Sequence, residues 1–183
     1  MNHLMIDIET LGTTPGSIIL SIGALRFDPV TGATGEDFYR QINPSLSEIY
    51  GFTASVDTML WWMDQAPSAQ AEAFGGQVDD PKHNPLIALR DFRDFVLCGL
   101  SASVWSHGCM DIVLIEAACR KHHGVDIPWG FRQVRDTRTV YDLADIDMRS
   151  FALPTDLHHH PVSDCRVQVR ALHAAYKKLG LAA

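Results

Sequence analysis

Apolar residues crowd the first third of the chain in runs with the character of strands. Residues 3–9 (His-Leu-Met-Ile-Asp-Ile-Glu) form one such run, closing in two acids, and residues 17–28 form a second, β-rich run. Pro29 to Gly32 make a turn and residues 36–42 give a third strand, so the pattern predicts a meander of antiparallel neighbours joined by short turns. After Pro44 the pattern changes. Residues 56–65 look helical, Gly75 to Pro85 form a polar loop, and 86–98 make an amphipathic helix with Leu86, Leu89, Phe92 and Val96 on one face. Ser103 to Ser106 read as a short strand, followed by a helix at 110–122, a strand near 131–136 and a short helix at 137–144. Residues 145–162 are irregular and rich in His and Pro. A last helix spans about 164–179, with Ser163 as its N-cap and Gly180 as its stop. Three neighbouring strands followed by alternating helices and strands imply an α/β fold, a mixed sheet with helices packed on it.

Several acids stand where this pattern expects apolar residues. Asp7 and Glu9 are two apart on a strand and project from one face. Two carboxylates at the end of a buried strand repel each other, so a positive charge is expected between them. In the helix at 110–122, positions 111, 114, 115, 118, 119 and 122 share a face, and Asp111 heads a stripe of Leu114, Ile115, Ala118, Cys119 and His122. Asp164 repeats the arrangement ahead of Val167, Ala171, Leu172, Ala175 and Leu179. The helix dipole explains an acid in a first turn, but it does not require that acid on the buried stripe. Hard oxygen ligands with no His–Cys cluster favour Mg²⁺ or Mn²⁺ over zinc.

Composition narrows the setting. The 183 residues suit one domain, and 46% apolar with 20% charged residues is ordinary for a soluble globular chain. No run approaches a membrane span and no signal peptide opens the chain, so the expected compartment is the cytoplasm with no membrane partner. Cys98, Cys109, Cys119 and Cys165 form no Cys-x-x-Cys pair. A net charge of −7 argues against a broad basic face that coats nucleic acid, but not against an enzyme that grips one strand end around bound metal.

Asp7-Ile8-Glu9-Thr10, the Asp111 helix and His159-His160-Pro161-Val162-Ser163-Asp164 resemble, in order, the three motifs of the DEDDh exonucleases. That superfamily includes proofreading exonucleases and ribonuclease T and is built on an RNase H-like fold. Its third motif is a His, four residues and an Asp, a spacing that His159 satisfies and His158 and His160 do not. Trp61-Trp62, Arg135-Asp136-Thr137-Arg138-Thr139 and Gln168 are similar to a phage and bacterial subgroup with exonuclease VIII-like and exoribonuclease domains. Ser106-His107-Gly108-Cys109-Met110-Asp111 departs from the second motif usual there, while keeping the acid.

The resemblance implies an RNase H-like mixed five-stranded sheet and a metal-dependent 3′–5′ exonuclease releasing nucleoside monophosphates from DNA or RNA. It implies two ions per site, with Asp7 bridging them, Glu9 and Asp164 on the water-activating ion, Asp111 on the second, and His159 as general base. Thr10, Leu11, Trp61, Trp62 and His107 are the candidate substrate contacts, Leu11 by packing on the terminal base and the tryptophans by stacking. Arg132, Arg135 and Arg138 add basic character nearby. A homodimer is the further expectation from relatives. The alternatives that remain are an RNase H-like endonuclease, which would not need the His, and a non-catalytic nucleic-acid-binding module, which would usually have lost an acid or the His.

Overall fold

The first apolar run, β1 (His3–Thr10), lies at the centre of a five-stranded sheet in the computed structural model. The structure describes residues 1–75, 80–99, 103–121 and 125–182. β2 (Ile19–Phe27) pairs antiparallel with β1, and β3 (Thr34–Gln41) pairs antiparallel with β2. On the other side, β4 (Ser103–Ser106) and β5 (Val134–Asp136) run parallel to β1, giving the order β3-β2-β1-β4-β5. All of β2 is buried, which is why its sequence shows no clean alternation: a strand covered on both faces needs none.

Around the sheet lie α1 (Pro44–Ile49), α2 (Val56–Met63), α3 (Pro67–Ala73), α4 (Pro85–Cys98), α5 (Met110–Lys121), α6 (Thr137–Ala144) and α7 (Pro161–Lys178). Leu4, Ile6 and Ile8 join Leu89, Phe92 and Val96 of α4 and Leu114, Ile115 and Ala118 of α5 in one core. Met5, Leu25 and Phe27 join Tyr141 of α6 and Cys165, Val169 and Leu172 of α7 in the other. The period-2 alternation along β1 therefore sends Met5, Asp7 and Glu9 to the face that carries α7.

The structure corrects some boundaries. α1 and α3 escape the periodicity argument because they are only 6 and 7 residues long, but both start with Pro at the first position, where its missing N–H costs nothing. For the same reason α7 starts at Pro161 with His160 as the capping residue. Ser163 lies inside the helix, where its Oγ accepts the Leu157 N–H at 2.8 Å rather than capping the helix. Leu179 falls past the helix end and is 38% exposed. The irregular segment 145–162 contains a 3₁₀ turn, Met148–Phe151, and the polar loop contains another, Pro81–His83. Residues 76–79 of that loop, and His122 at the end of the predicted α5 stripe, lie outside the described residues.

Candidate active site

The sheet opens where the acids emerge. β1 pairs with β4 only as far as Met5 opposite Trp105. Beyond that point Asp7 and Glu9 have no β4 neighbour, and the start of α5 turns into the gap. The turn from β4 into α5 is built on Gly108, whose φ of 91° suits glycine. Its N–H is held at 3.0 Å by Asp136, the N-cap of α6. This delivers Asp111, 5% exposed, to the free edge of β1, where the Ile8 N–H supports its carboxylate.

α7 reaches the same point from above. Gly23 of β2 lies directly opposite Asp7. A Cβ at Gly23 would fall 2.4 Å from Pro161 Cβ and 2.7 Å from Val162 N, so the first turn of α7 rests on bare backbone. That contact brings Asp164 down to Glu9. One turn further on, Gln168 Nε2 donates to Asp7 Oδ1 at 2.9 Å. Glu9, His159 and Asp164 each offer a ligand atom, and these atoms lie within 4.8 Å of one another.

His159 is fixed by its neighbours. Its φ of 60° is a left-handed backbone conformation that side chains seldom adopt and that costs on the order of 1–3 kcal/mol. Nδ1 lies 3.6 Å from Glu9 Oε1, and the ring meets Trp61 and Trp62 edge-on at 5.1 and 5.5 Å. Trp62 is 1% exposed and its Nε1 donates to the Thr10 carbonyl at 2.9 Å. On the other side of the chain His160 stacks on Tyr39 at 4.6 Å. The Tyr39 hydroxyl donates to the Glu72 carboxylate, and Gln41 Nε2 donates to the Glu72 carbonyl at 2.6 Å. The three consecutive imidazoles thus face different surroundings, with His158 exposed.

Burial and mutual repulsion dominate the electrostatics. Burial, then the charges of Asp111, Glu9 and Asp164, push the Asp7 carboxyl well above the usual range, against the pull of its bond from Gln168. Asp111 is pushed up to about 7, first by burial, with its two backbone N–H partners opposing. Asp164 is pushed up to about 7 by burial and then by Glu9. The contact with Glu9 raises His159, more than its burial lowers it. Arg138 beside Asp111 and His159 beside Asp164 offset only part of this repulsion. Beside them, Gln168 Oε1 is buried without a partner. Four crowded carboxylates, their shared repulsion and an orphaned amide oxygen together fit a divalent cation.

Two clefts meet at the acids. The first, of about 580 Å³, is lined by Asp7, Glu9, Asp111, Asp164 and His159, with His107, Arg138 and Arg149 on its wall. The second, of about 490 Å³, is lined by Thr10, Ser55, Asp57, Thr58, Trp61 and Trp62. Ile8, Glu9 and Met110 border both. Thr10 is buried, with its hydroxyl donating to the Gly12 carbonyl at 2.7 Å. Leu11 is 5% exposed, belongs to the apolar core and lines neither cleft. Trp62 is likewise core, whereas Trp61 is 45% exposed, so only one tryptophan presents a free surface. His107 lines the first cleft with Nδ1 3.1 Å from the Thr137 hydroxyl. Of the three arginines near β5, Arg138 lines the first cleft and Arg132 and Arg135 do not. Sequence reasoning missed Gly23, Tyr39 and Glu72. A glycine inside a strand was the available signal for Gly23, because it marks a close backbone approach. Tyr39 and Glu72 gave none.

The family model for the 3′-5′ exoribonuclease Rv2179c-like domain matches residues 2–176. No match was found among curated proteins. Among solved structures, the zinc-bound E. coli ExoI–ssDNA complex aligns with a TM-score of 0.71 and 12% identity over 97% of this chain and 41% of that one. Exonuclease X in complex with 5′ overhanging duplex DNA gives 0.53 and 15% identity over 97% of this chain and 93% of that one. A 3′-exonuclease that recognises a histone mRNA stem-loop gives 0.58 and 12% identity over 97% and 82%. The chain spans 40–41% of the exonuclease I chains that head these likenesses. At such identities the likeness shows the fold, and that fold is RNase H-like, as the motifs implied.

Proposed function

The chain belongs to the family of 3′-5′ exoribonuclease Rv2179c-like domains, and we propose that it removes nucleoside monophosphates stepwise from the 3′ end of RNA. The working unit is the single domain of residues 1–183. Asp7, Glu9, Asp111 and Asp164 would hold two Mg²⁺ or Mn²⁺ ions, with His159 as the general base. The observation that carries this reading is the convergence of Glu9, Asp164 and His159 within 4.8 Å, beside Asp7 and Asp111 in one cleft. The narrower likeness to exonuclease VIII-like proteins rests on Trp61-Trp62, Arg135 to Thr139 and Gln168 alone.

When bound, two such ions lower the pKa of a water and neutralise charge on the phosphate. The protein's part is to place and protect. Glu9 lies on the Nδ1 side of His159, so Nε2 takes the proton of the attacking water and Glu9 steadies the imidazolium that results. Gln168 orients Asp7 through its 2.9 Å bond. The Trp61 cleft receives the terminal nucleoside, with the indole offering a stacking surface. RNA is favoured by the family's description. The neighbours' partners are single-stranded DNA, duplex DNA and an mRNA stem-loop, so substrate class is put to direct test.

The test uses 3′- and 5′-labelled single-stranded RNA and DNA with Mg²⁺ or Mn²⁺, on the native protein and on Asp7→Ala and His159→Ala. Metal-dependent release of mononucleotides from the 3′ end, lost in both variants and faster on RNA, is expected. Internal fragments would replace the reading with an endonuclease.

A further inference from the structure

Two arginines in the first cleft have no part in the chemistry above. Arg138 follows Thr137 at the start of α6, and Arg149 sits in the 3₁₀ turn Met148–Phe151; both are exposed and both line the cleft. Among the described residues neither guanidinium is paired with a carboxylate. The nearest acids in sequence are occupied elsewhere: Asp136 accepts the backbone N–H of Gly108 at 3.0 Å and that of Arg138 at 2.9 Å, and Asp147 accepts the backbone N–H of Arg149 at 3.0 Å. The Arg138 side chain is nonetheless placed. Its guanidinium lies against Gly108, where a Cβ would come within 3.0 Å of Cζ, so it runs along the turn that carries Asp111. Both arginines act on His107, which lies on the same wall and is lowered by burial first and then by their charge. The first cleft thus carries two guanidiniums without a close ion pair beside its four carboxylates, with Arg138 near enough to Asp111 to lower it.

The second cleft lacks such cations. Its lining holds hydroxyls, Glu9, Asp57, Met110 and two tryptophans, and no Lys, Arg or His. A strand that ends at the acids differs on its two sides in the same way. Beyond the scissile linkage lies one uncharged nucleoside, and before it every linkage carries a negative charge. From this match we infer that Arg138 and Arg149 form a phosphate clamp for the linkages 5′ of the scissile one, with the 3′-terminal nucleoside in the Trp61 cleft. The inference rests on the exonuclease reading and adds the path and polarity of the strand. Paired guanidiniums suit phosphate oxygens because their donors meet two acceptors at once.

Equilibrium binding tests the clamp apart from catalysis. A 5′-fluorescein pentaribonucleotide is titrated in Ca²⁺, which replaces Mg²⁺ so that the strand is held, with the native protein, Arg138→Gln, Arg149→Gln, the double variant and the exposed control Lys177→Gln. The double variant is expected to bind roughly tenfold or more weakly at low salt. Its slope of log Kd against log salt should flatten by about 0.7 per arginine removed. A second probe carries an uncharged methylphosphonate at the linkage just 5′ of the scissile one. It should bind the native protein more weakly than the unmodified strand and bind the double variant almost as well as that strand. The clamp is overturned if the double variant keeps the native Kd and slope, or if the methylphosphonate weakens native and variant equally. Mononucleotide release by the native protein in Mn²⁺ is scored separately, so a failed nuclease reading and a failed clamp are told apart.

Discussion

A single methyl group at Gly23 should disable the site without touching any acid. Built onto the backbone, the alanine Cβ stands 2.4 Å from Pro161 Cβ and 2.7 Å from both Pro161 C and Val162 N. Carbon atoms settle at roughly 3.5–4.0 Å, so about 1 Å of new separation is required, and two of the three neighbours are backbone. β2 is hydrogen-bonded to β1 on one side and β3 on the other, so the start of α7 is the part that yields. Asp164 lies three residues past Pro161 and moves with it, away from Glu9. The Gln168–Asp7 bond, now 2.9 Å, lengthens past useful geometry. Overpacking of this kind costs about 1–3 kcal/mol of stability. A displacement near 1 Å at a catalytic group costs on the order of 100-fold in rate. Calorimetric titration of Gly23→Ala with Mn²⁺, its unfolding midpoint in chelator and its rate of mononucleotide release give the three readouts. Leu172→Ala, buried in α7, is the companion that should cost about 2–5 kcal/mol of stability while keeping metal affinity. If Gly23→Ala binds Mn²⁺ and cleaves like the native protein, the close approach of α7 does not set the site.

Stability of the metal-free protein should fall as pH rises. Asp7, Asp111 and Asp164 all have raised folded pKa values, so their protonated forms favour folding below about pH 4 and that contribution is lost as pH passes about 7. For Asp164 a shift from 3.8 to about 7, at about 1.4 kcal/mol per unit, sets an upper figure of roughly 4 kcal/mol, which water in the open cleft screens down. Thermal unfolding in chelator should show a lower Tm at pH 8 than at pH 5, with Mn²⁺ raising Tm more at pH 8; a flat profile would refute it. Tyr39→Ala removes the ring under His160 and should lower kcat on the order of tenfold while leaving Mn²⁺ affinity near native, as steady-state kinetics and calorimetry would read. Trp62→Phe loses the bond to the Thr10 carbonyl and part of the wall behind His159; denaturant unfolding should show a loss of about 1–3 kcal/mol, and kcat should fall with it.

The acids were legible in the sequence because periodicity fixes faces. Asp7 and Glu9 must share a side of β1, and Asp111 and Asp164 must head the stripes their helices bury. Those stripes run as expected through Leu114, Ile115, Val167, Ala171 and Leu172. Periodicity could not say which element closes over which. That depends on where pairing stops, at Met5, and on where the sheet is bare enough for a helix to land, at Gly23. The support of His159 was equally hidden. Trp61-Trp62 looked like a stacking platform, but Trp62 is a post in the core, and the Tyr39–Glu72–His160 group joins residues far apart in the chain. α1 and α3 were too short for a period to show. Arg149 lay in a segment with no pattern at all.

The strain of the site and the precision of the site have one origin. A carboxylate is fixed most firmly when it is buried, when backbone N–H groups support it and when its own element cannot shift. Those are the conditions of Asp111 against Ile8 and of Asp7 beneath α7. Burial also makes each neighbouring charge more costly, so four fixed acids destabilise one another unless a cation or protons lie among them. His159 adds a backbone conformation that only its surroundings enforce, through Trp62 on one side and the stacked His160 on the other. The large buried surface of β1 and β2, covered on both faces, stabilises the fold enough to carry these local costs. The consequence is a protein whose folding stability should be least where these acids are bare and charged. A divalent cation bound among these acids is therefore also expected to stabilise the fold.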